Sequence, residues 1–114
     1  MTLLEVIAQA NELRPNAVAD DRKAEWVNEL EAVFADMLGE DAPVFAYPTD
    51  TYLLIEEPYQ QVYVWYCAAM IDLAQQDTDL YQNDKAVADA RIAEIKALHR
   101  RKNTPAFAGN WRTM

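Results

Sequence analysis

A catalytic triad or a histidine-containing zinc site would need a histidine, and this sequence has one. His99 stands in the run His99-Arg100-Arg101-Lys102. The neighbouring positive charges would repel a metal ion. Because cations near the last turn of a helix interact favourably with its dipole, we interpret His99 as a polar group at a helix C-terminus.

The sole cysteine, Cys67, is the second candidate for chemistry. A nucleophilic thiol needs a base and an electropositive setting, whereas the nearest charge in the sequence is that of Asp72. A single cysteine cannot form an intramolecular disulfide, which fits a reducing compartment. We therefore predict that Cys67 is buried and inert.

Three acidic pairs could suggest metal binding: Asp20-Asp21, Glu40-Asp41 and Glu56-Glu57. None has the spacing of a calcium-binding loop with its glycine. We expect them at solvated helix ends and loops. The chain has only two glycines, Gly39 and Gly109, which excludes a glycine-rich phosphate loop. We therefore expect no metal, no cofactor and no enzymatic activity.

The charge of the chain is divided unevenly along its length. The net charge is −9, from 19 acidic and 10 basic residues. Residues 1–98 hold every acidic residue but only six basic ones and carry −13, whereas residues 99–114 carry +4. The acidic balance argues against a protein that grips DNA through its phosphates. The reversal of sign is typical of an interaction segment.

Amphipathic segments predict a mainly α-helical, four-helix domain, with helices over 2–13, 21–38, 58–75 and 78–99. Apolar residues recur along each segment at spacings of three and four. The last two are separated by a very short connection, so we expect an antiparallel helical hairpin with Tyr63 and Ile95 on its facing sides. The predicted apolar stripes also include Val33, Leu73 and Leu80.

Residues suited to begin or end a helix flank these segments: Thr2 with Glu5, Asp20 or Asp21, Gly39, Pro58, and Asp77 or Thr78. Thr2 and Glu5 have the spacing of a capping box, Gly39 tolerates the positive φ of a helix end, and Pro58 suits a first helical position. No apolar run approaches the roughly 20 residues that cross a bilayer. We expect a soluble protein without membrane contact.

The loop between the second and third helices is rich in proline. Val44–Tyr47 and Thr51–Ile55 have β-branched and aromatic residues on either side of Pro48-Thr49-Asp50, so this loop is either irregular or a short β-hairpin. The domain is predicted to span 1–102, followed by an extended C-terminal arm at 103–114.

Several residues are candidates for a protein interface. Trp65 falls outside the apolar stripe of its helix, and no basic residue accompanies the aromatic run there, which argues against a platform for single-stranded nucleic acid. Phe107 and Trp111 lie in the aperiodic tail, next to a basic turn. The full set is Trp65, Arg100, Arg101, Lys102, Phe107, Trp111, Tyr47 and Tyr52.

Short blocks of residues follow one another in order over about residues 3–85. They are Glu12-Leu13-Arg14-Pro15-Asn16; Lys23-x-x-Trp26-Val27-Asn28-Glu29-Leu30-Glu31; Leu53-Leu54, then Pro58-Tyr59-x-x-Val62-Tyr63-x-x-Tyr66; Ala69-Met70-Ile71-Asp72; and Tyr81-x-Asn83. In this order and spacing they resemble the head–tail connector (adaptor, or head completion) proteins of tailed bacteriophages.

The resemblance implies a structural virion protein made in the host cytoplasm and located in the phage neck. Its partners would be the portal protein, further copies in a dodecameric ring, and a downstream neck, stopper or tail protein. Double-stranded DNA would pass through the ring without specific binding, and an acidic lining would let it slide. The alternative is an acidic regulatory or inhibitor protein, such as a DNA mimic that binds a nucleic-acid enzyme, although the carboxylates are spread over several helices rather than along one face.

Overall fold

The computed structural model describes residues 1–43 and 47–103, and this part of the chain is mainly helical. The helices are α1 (Leu3–Leu13), α2 (Asp20–Leu38), α3 (Gln61–Ala74) and α4 (Thr78–Asn103). The predicted four-helix fold is therefore confirmed. The predicted arm lies outside the described residues from 104 onwards, while residue 103 still belongs to α4.

The start of α1 has the predicted capping box. The hydroxyl of Thr2 accepts a hydrogen bond from the Glu5 N–H at 3.4 Å, and the Thr2 N–H donates to Glu5 Oε1 at 2.8 Å. These bonds satisfy amide groups that the first turn of a helix leaves without partners. The apolar side of α1 is buried from Leu3 to Ala10.

The start of α2 differs from the prediction. Its N-cap is Ala19, with no side-chain hydrogen bond, so the assignment of Asp20 or Asp21 as the cap is wrong. The carboxylate of Asp20 instead accepts hydrogen bonds from Lys23 Nζ and Asn11 Nδ2, which compete with the capping role. Both aspartates still lie in the first turn, where negative charge stabilises a helix.

Three further residues were predicted to begin or end a helix, and two of these predictions are confirmed. Gly39 ends α2 in the left-handed conformation, with φ of 72°, as predicted. Asp77 caps α4 as predicted, because its Oδ1 accepts the Leu80 N–H at 3.1 Å. The placement of Pro58 in the first turn of α3 is wrong. Tight turns precede that helix, with the Tyr59 N–H donating to the Glu56 carbonyl, and the helix begins only at residue 61.

The centre of the fold is the predicted α3–α4 hairpin, and α3 also packs against α1 and α2. Tyr63 and Ile95 are both buried. At 1.5 Å per residue, the 26 residues of α4 span about 39 Å and the 14 residues of α3 about 21 Å. The C-terminal part of α4 therefore extends beyond the start of α3.

Three residues assigned to apolar stripes are exposed instead: Val33, Leu73 and Leu80. Leu73 is half exposed, because it and Leu80 flank the α3–α4 turn. The apolar stripes are thus wider than the faces that the neighbouring helices cover.

The loop between α2 and α3 is irregular in its described part. The Leu3 N–H donates to the Thr51 carbonyl at 2.9 Å, and Tyr52 forms an isolated antiparallel bridge with Thr2. Thr51–Ile55 therefore runs past the start of α1. Residues 44–46 lie outside the description, so the first half of the alternative hairpin is only partly covered.

Candidate protein interface

The extension of α4 creates an apolar groove at one end of the molecule. We call this cavity of about 320 Å³ the α4 groove. It is lined by Met37, Leu38, Leu54, Ile55, Glu56, Glu57, Tyr59, Ile95, Leu98, His99 and Lys102. One side comes from the end of α2, another from the segment before α3, and the third from α4. The α4 side of the groove lies on the part of that helix that continues past the start of α3.

A second depression of about 510 Å³ adjoins the α4 groove on the side of α2. It shares Met37 and His99 with the groove and adds the exposed Val33. Apolar surface therefore continues from the segment before α3 to the outer side of α2. Contiguous apolar surface bordered by charged groups is typical of an interaction site.

The charged border of these depressions has both signs. Lys102 lies at the α4 groove and Arg100 at the second depression, while Arg101 is exposed in the same turn. Glu56 and Glu57 border the groove from the segment before α3. The basic turn ends α4, where positive charge interacts favourably with the helix dipole.

The other candidates lie elsewhere on the molecule. Tyr52 is 81% exposed beside the start of α1, and the Tyr47 hydroxyl donates to Asp20 Oδ2 at 3.4 Å, near the start of α2. Neither tyrosine lines the α4 groove. The structure thus separates these two candidates from the basic turn.

Trp65 is half-buried rather than fully exposed. It lines a shallow depression with Gln9, Glu12 and Leu13 of α1. The side chain can contact a partner only through its exposed part. Phe107 and Trp111, the two aromatic candidates of the tail, lie outside the described residues.

A buried carboxylate, which the sequence analysis did not identify, supports the wall of the α4 groove. Glu31 Oε2 accepts the Leu54 N–H at 2.9 Å, and Glu31 Oε1 accepts the hydroxyl of Tyr63. The same hydroxyl accepts the Ile55 N–H at 2.9 Å. Burial raises the pKa of Glu31 and also that of Tyr63. The pair fixes the backbone of two residues that line the groove.

Arg14 connects the end of α1 to the α3–α4 hairpin. Its Nε and Nη2 donate to the two carboxylate oxygens of Asp84, each at 2.9 Å. Asp72 Oδ1 lies 3.4 Å from Arg14 Nε. Both aspartate side chains are fully buried.

Lys23 forms hydrogen bonds with the segment that connects α1 and α2 and with the start of α2. Its side chain is only 2% exposed, and its Nζ donates to the Val18 carbonyl at 2.8 Å and to Asp20 Oδ1 at 3.0 Å. The bond from Lys23 is the main reason that the pKa of Asp20 is lowered. A buried ammonium group needs such partners, because transferring an unpaired charge from water is costly.

The groups considered for chemistry are placed as follows. Cys67 is buried as predicted, and burial raises the pKa of its thiol to about 12. Within residues 1–43 and 47–103, no three His, Cys, Asp or Glu side chains are arranged to hold a metal ion. None of the helices in this part of the chain combines the length and apolar character needed to cross a membrane.

No family model, curated protein or solved structure matches the chain. A functional interpretation therefore depends on the residues and on the geometry described above.

Proposed function

We propose that this chain is a structural virion protein of a tailed bacteriophage. In this role it forms a ring in the neck, between the portal vertex and the next neck, stopper or tail protein. The observation that carries the proposal is the α4 groove, an apolar surface with charged borders at the extended end of a helix. Its chemistry suits contact with another protein rather than catalysis.

The residue blocks that resemble head–tail connectors support this proposal in a specific way. Four of their charged residues, Arg14, Lys23, Glu31 and Asp72, are largely or fully removed from solvent and lie at the junctions between helices. A resemblance carried by such residues concerns the scaffold, since three of the four contact elements distant in sequence, while Lys23 holds the segment that precedes α2. The α4 groove, by contrast, is lined partly by residues outside the blocks, among them Leu98 and Lys102.

Charge adds a second line of support. A ring of copies that each carry −13 over residues 1–98 would present acidic surface along a DNA channel. Like charge keeps DNA from adhering to such a wall. The basic turn at Arg100, Arg101 and Lys102 offers the opposite charge to an acidic neighbour in the ring or to the portal.

Native mass spectrometry of the full chain, alone and mixed with the portal protein encoded by the same genome, tests the proposal. We expect a monomeric or weakly associated free protein, because its net charge opposes self-association, and a multi-copy ring on the portal. Absence of any complex with the portal would refute the proposal. A one-to-one complex with a nucleic-acid enzyme would instead favour the DNA-mimic alternative.

A matched pair of variants tests whether the α4 groove is the docking surface. Leu98→Glu places a charge in the groove, whereas Leu80→Glu places the same charge on the same helix near the α3–α4 turn. We expect Leu98→Glu to weaken portal binding by at least tenfold and Leu80→Glu to leave it unchanged. Equal effects of the two variants would show that docking does not use the groove.

Truncation after residue 103 tests the tail. We propose that the tail, with Phe107 and Trp111, serves as a docking arm, so its removal should abolish portal binding and leave the thermal stability of the free protein unchanged. A large loss of stability would show instead that the two aromatic residues pack on the chain's own core. Normal portal binding by the truncated protein would also contradict the arm.

A further inference from the structure

The end of α1 is attached to the helical hairpin by three ionisable groups that are not balanced in charge. Asp72 of α3 and Asp84 of α4 are fully buried, and one guanidinium, that of Arg14, lies within 3.4 Å of both, with 19% of its side chain exposed. Two carboxylates and one cation would leave a net negative charge in the interior. Burial of an unbalanced charge is costly enough that a group in this position usually changes its protonation state.

The hydrogen bonds are divided unequally between the two carboxyl groups. Asp84 accepts from Arg14 Nε, from Arg14 Nη2 and from Asn83 Nδ2, at 2.9, 2.9 and 3.2 Å. The remaining terminal nitrogen of Arg14 donates to the Leu13 carbonyl at 2.9 Å. Asp72, in contrast, has two buried oxygens that accept no hydrogen bond. The donors thus stabilise the ionised form of Asp84 and leave Asp72 without the donors that a carboxylate needs.

From this geometry we infer that Asp72 and Asp84 form a buried proton-binding site. Asp72 carries the proton and donates it in a hydrogen bond to Asp84, which remains ionised and paired with Arg14. One proton restores the charge balance, since the site then holds one carboxylate and one guanidinium. The proton also gives Asp72 a hydrogen bond, because a protonated carboxyl group is a donor.

Arg14 Nε lies 2.9 Å from Asp84 Oδ2 and 3.4 Å from Asp72 Oδ1, so the two carboxyl groups are neighbours, and their titration is consistent with the shared proton. Burial, and after it the contact with Asp84, raises the pKa of Asp72 to about 7. Burial alone would raise the pKa of Asp84 as well, but the hydrogen bonds from Asp72, Arg14 and Asn83 lower it.

The other elements around the site contribute little that could replace the proton. Asp77, in the turn between α3 and α4, adds a further negative charge that also raises the pKa of Asp72. The charged groups of α2 affect the pKa values of other residues of α3. Lys23 and Asp20 affect the pKa of Cys67, Glu29 affects that of Tyr66, and Glu31 affects that of Tyr63. Arg14 from α1 is therefore the cation of this site.

The inference gives a sign for the dependence of stability on pH. The folded state holds the Asp72 proton up to about pH 7, whereas the unfolded chain releases it near 3.8, the ordinary pKa of an aspartate. Folding therefore takes up a proton between these values, and the unfolding equilibrium constant rises by up to about tenfold per pH unit in this window. Asp84, with its lowered pKa, has the opposite effect only below the window.

The primary test is a pH titration of the full-length protein, followed by the ¹³C NMR signals of its side-chain carboxyl groups. We expect one aspartate carboxyl signal to titrate near pH 7, and we expect Asp72→Asn to remove that signal. If every aspartate signal of the wild-type protein titrates below pH 5, the inference is overturned. This measurement on the wild type does not depend on the folding of any variant.

Chemical denaturation from pH 4.5 to 8 is the second test. Asp72→Asn keeps a donor next to Asp84 but cannot lose it as a proton, so the stability of the variant should decline less with pH than that of the wild type, and the remaining decline is that of Glu31, whose pKa burial also raises. Asp89→Asn is the matched control, because Asp89 pairs with Lys85 on the exposed side of α4. The control should retain the wild-type pH dependence. Parallel pH profiles for Asp72→Asn and the wild type would overturn the inference.

Discussion

Removing a single buried hydroxyl group tests how the wall of the α4 groove is held. Tyr63 is fully buried, and its hydroxyl both donates to Glu31 and accepts the Ile55 N–H. Tyr63→Phe keeps the ring and its edge-to-face contact with Phe34, in which the two ring centroids are 5.8 Å apart. Any loss of stability therefore reports on the hydroxyl group rather than on packing.

The expected cost follows from the two bonds that the hydroxyl makes. A hydrogen bond to a charged group contributes about 1.5–3 kcal/mol, and a buried N–H left without an acceptor costs about 1–3 kcal/mol. Some relaxation of the chain around Ile55 will recover part of the second cost. We therefore expect Tyr63→Phe to lower the free energy of unfolding by about 2–4 kcal/mol.

Chemical denaturation of four proteins measures this cost: the wild type, Tyr63→Phe, Glu31→Gln and the double variant. The two single losses should not add, with a coupling energy of at least about 1 kcal/mol, because the residues share one network. Tyr52→Phe is the control, since Tyr52 is largely exposed and its change should stay within about 0.5 kcal/mol. A loss for Tyr63→Phe no larger than that of the control would refute the argument.

Three further predictions concern the core, one helix end and the thiol. Ile95→Ala should lower the free energy of unfolding by about 2–5 kcal/mol in chemical denaturation, as buried large-to-small changes do. Leu73→Ala, at an exposed position, should lower it by less than about 0.5 kcal/mol. Similar losses for the two variants would mean that the buried face of the hairpin is misassigned. Gly39→Ala should lower the stability by about 1–2 kcal/mol in thermal unfolding, because φ of 72° is unfavourable for alanine, while the added methyl group meets no neighbour. An unchanged stability would contradict that backbone conformation. Cys67 should resist alkylation at pH 8 until denaturant is added, since burial removes it from solvent and raises its pKa to about 12; rapid labelling of the native protein would contradict its burial.

The parts of the fold that the sequence predicts correctly depend on neighbours close along the chain. The capping box of Thr2 and Glu5, the left-handed Gly39 and the cap by Asp77 each involve groups within a few residues of one another. The assignment of a cap to Asp20 is wrong because Lys23 and Asn11 compete for its carboxylate. Local capping rules fail where other side chains bind the oxygen that would form the cap.

The buried charges lie beyond what local patterns reveal. Glu31 stands one position after buried Leu30 and three before Phe34, so it shares the apolar face of α2, which is a signal that could have marked it. Its partners, however, are 23 and 32 residues away. The α4 groove is equally hidden from sequence, because its sides come from three separate segments and its position depends on the different lengths of α3 and α4.

The contact between Arg14 and Asp84 also has a consequence for how the protein is made. The two residues are separated by 70 positions in the sequence. During synthesis, α1 can form early, but Arg14 cannot pair with Asp84 until the 70 residues that follow Arg14 have been translated. The apolar side of α1 packs against α2 and α3, so it stays partly uncovered until α3 has been translated, and over that interval the nascent chain is most open to chaperone binding or aggregation.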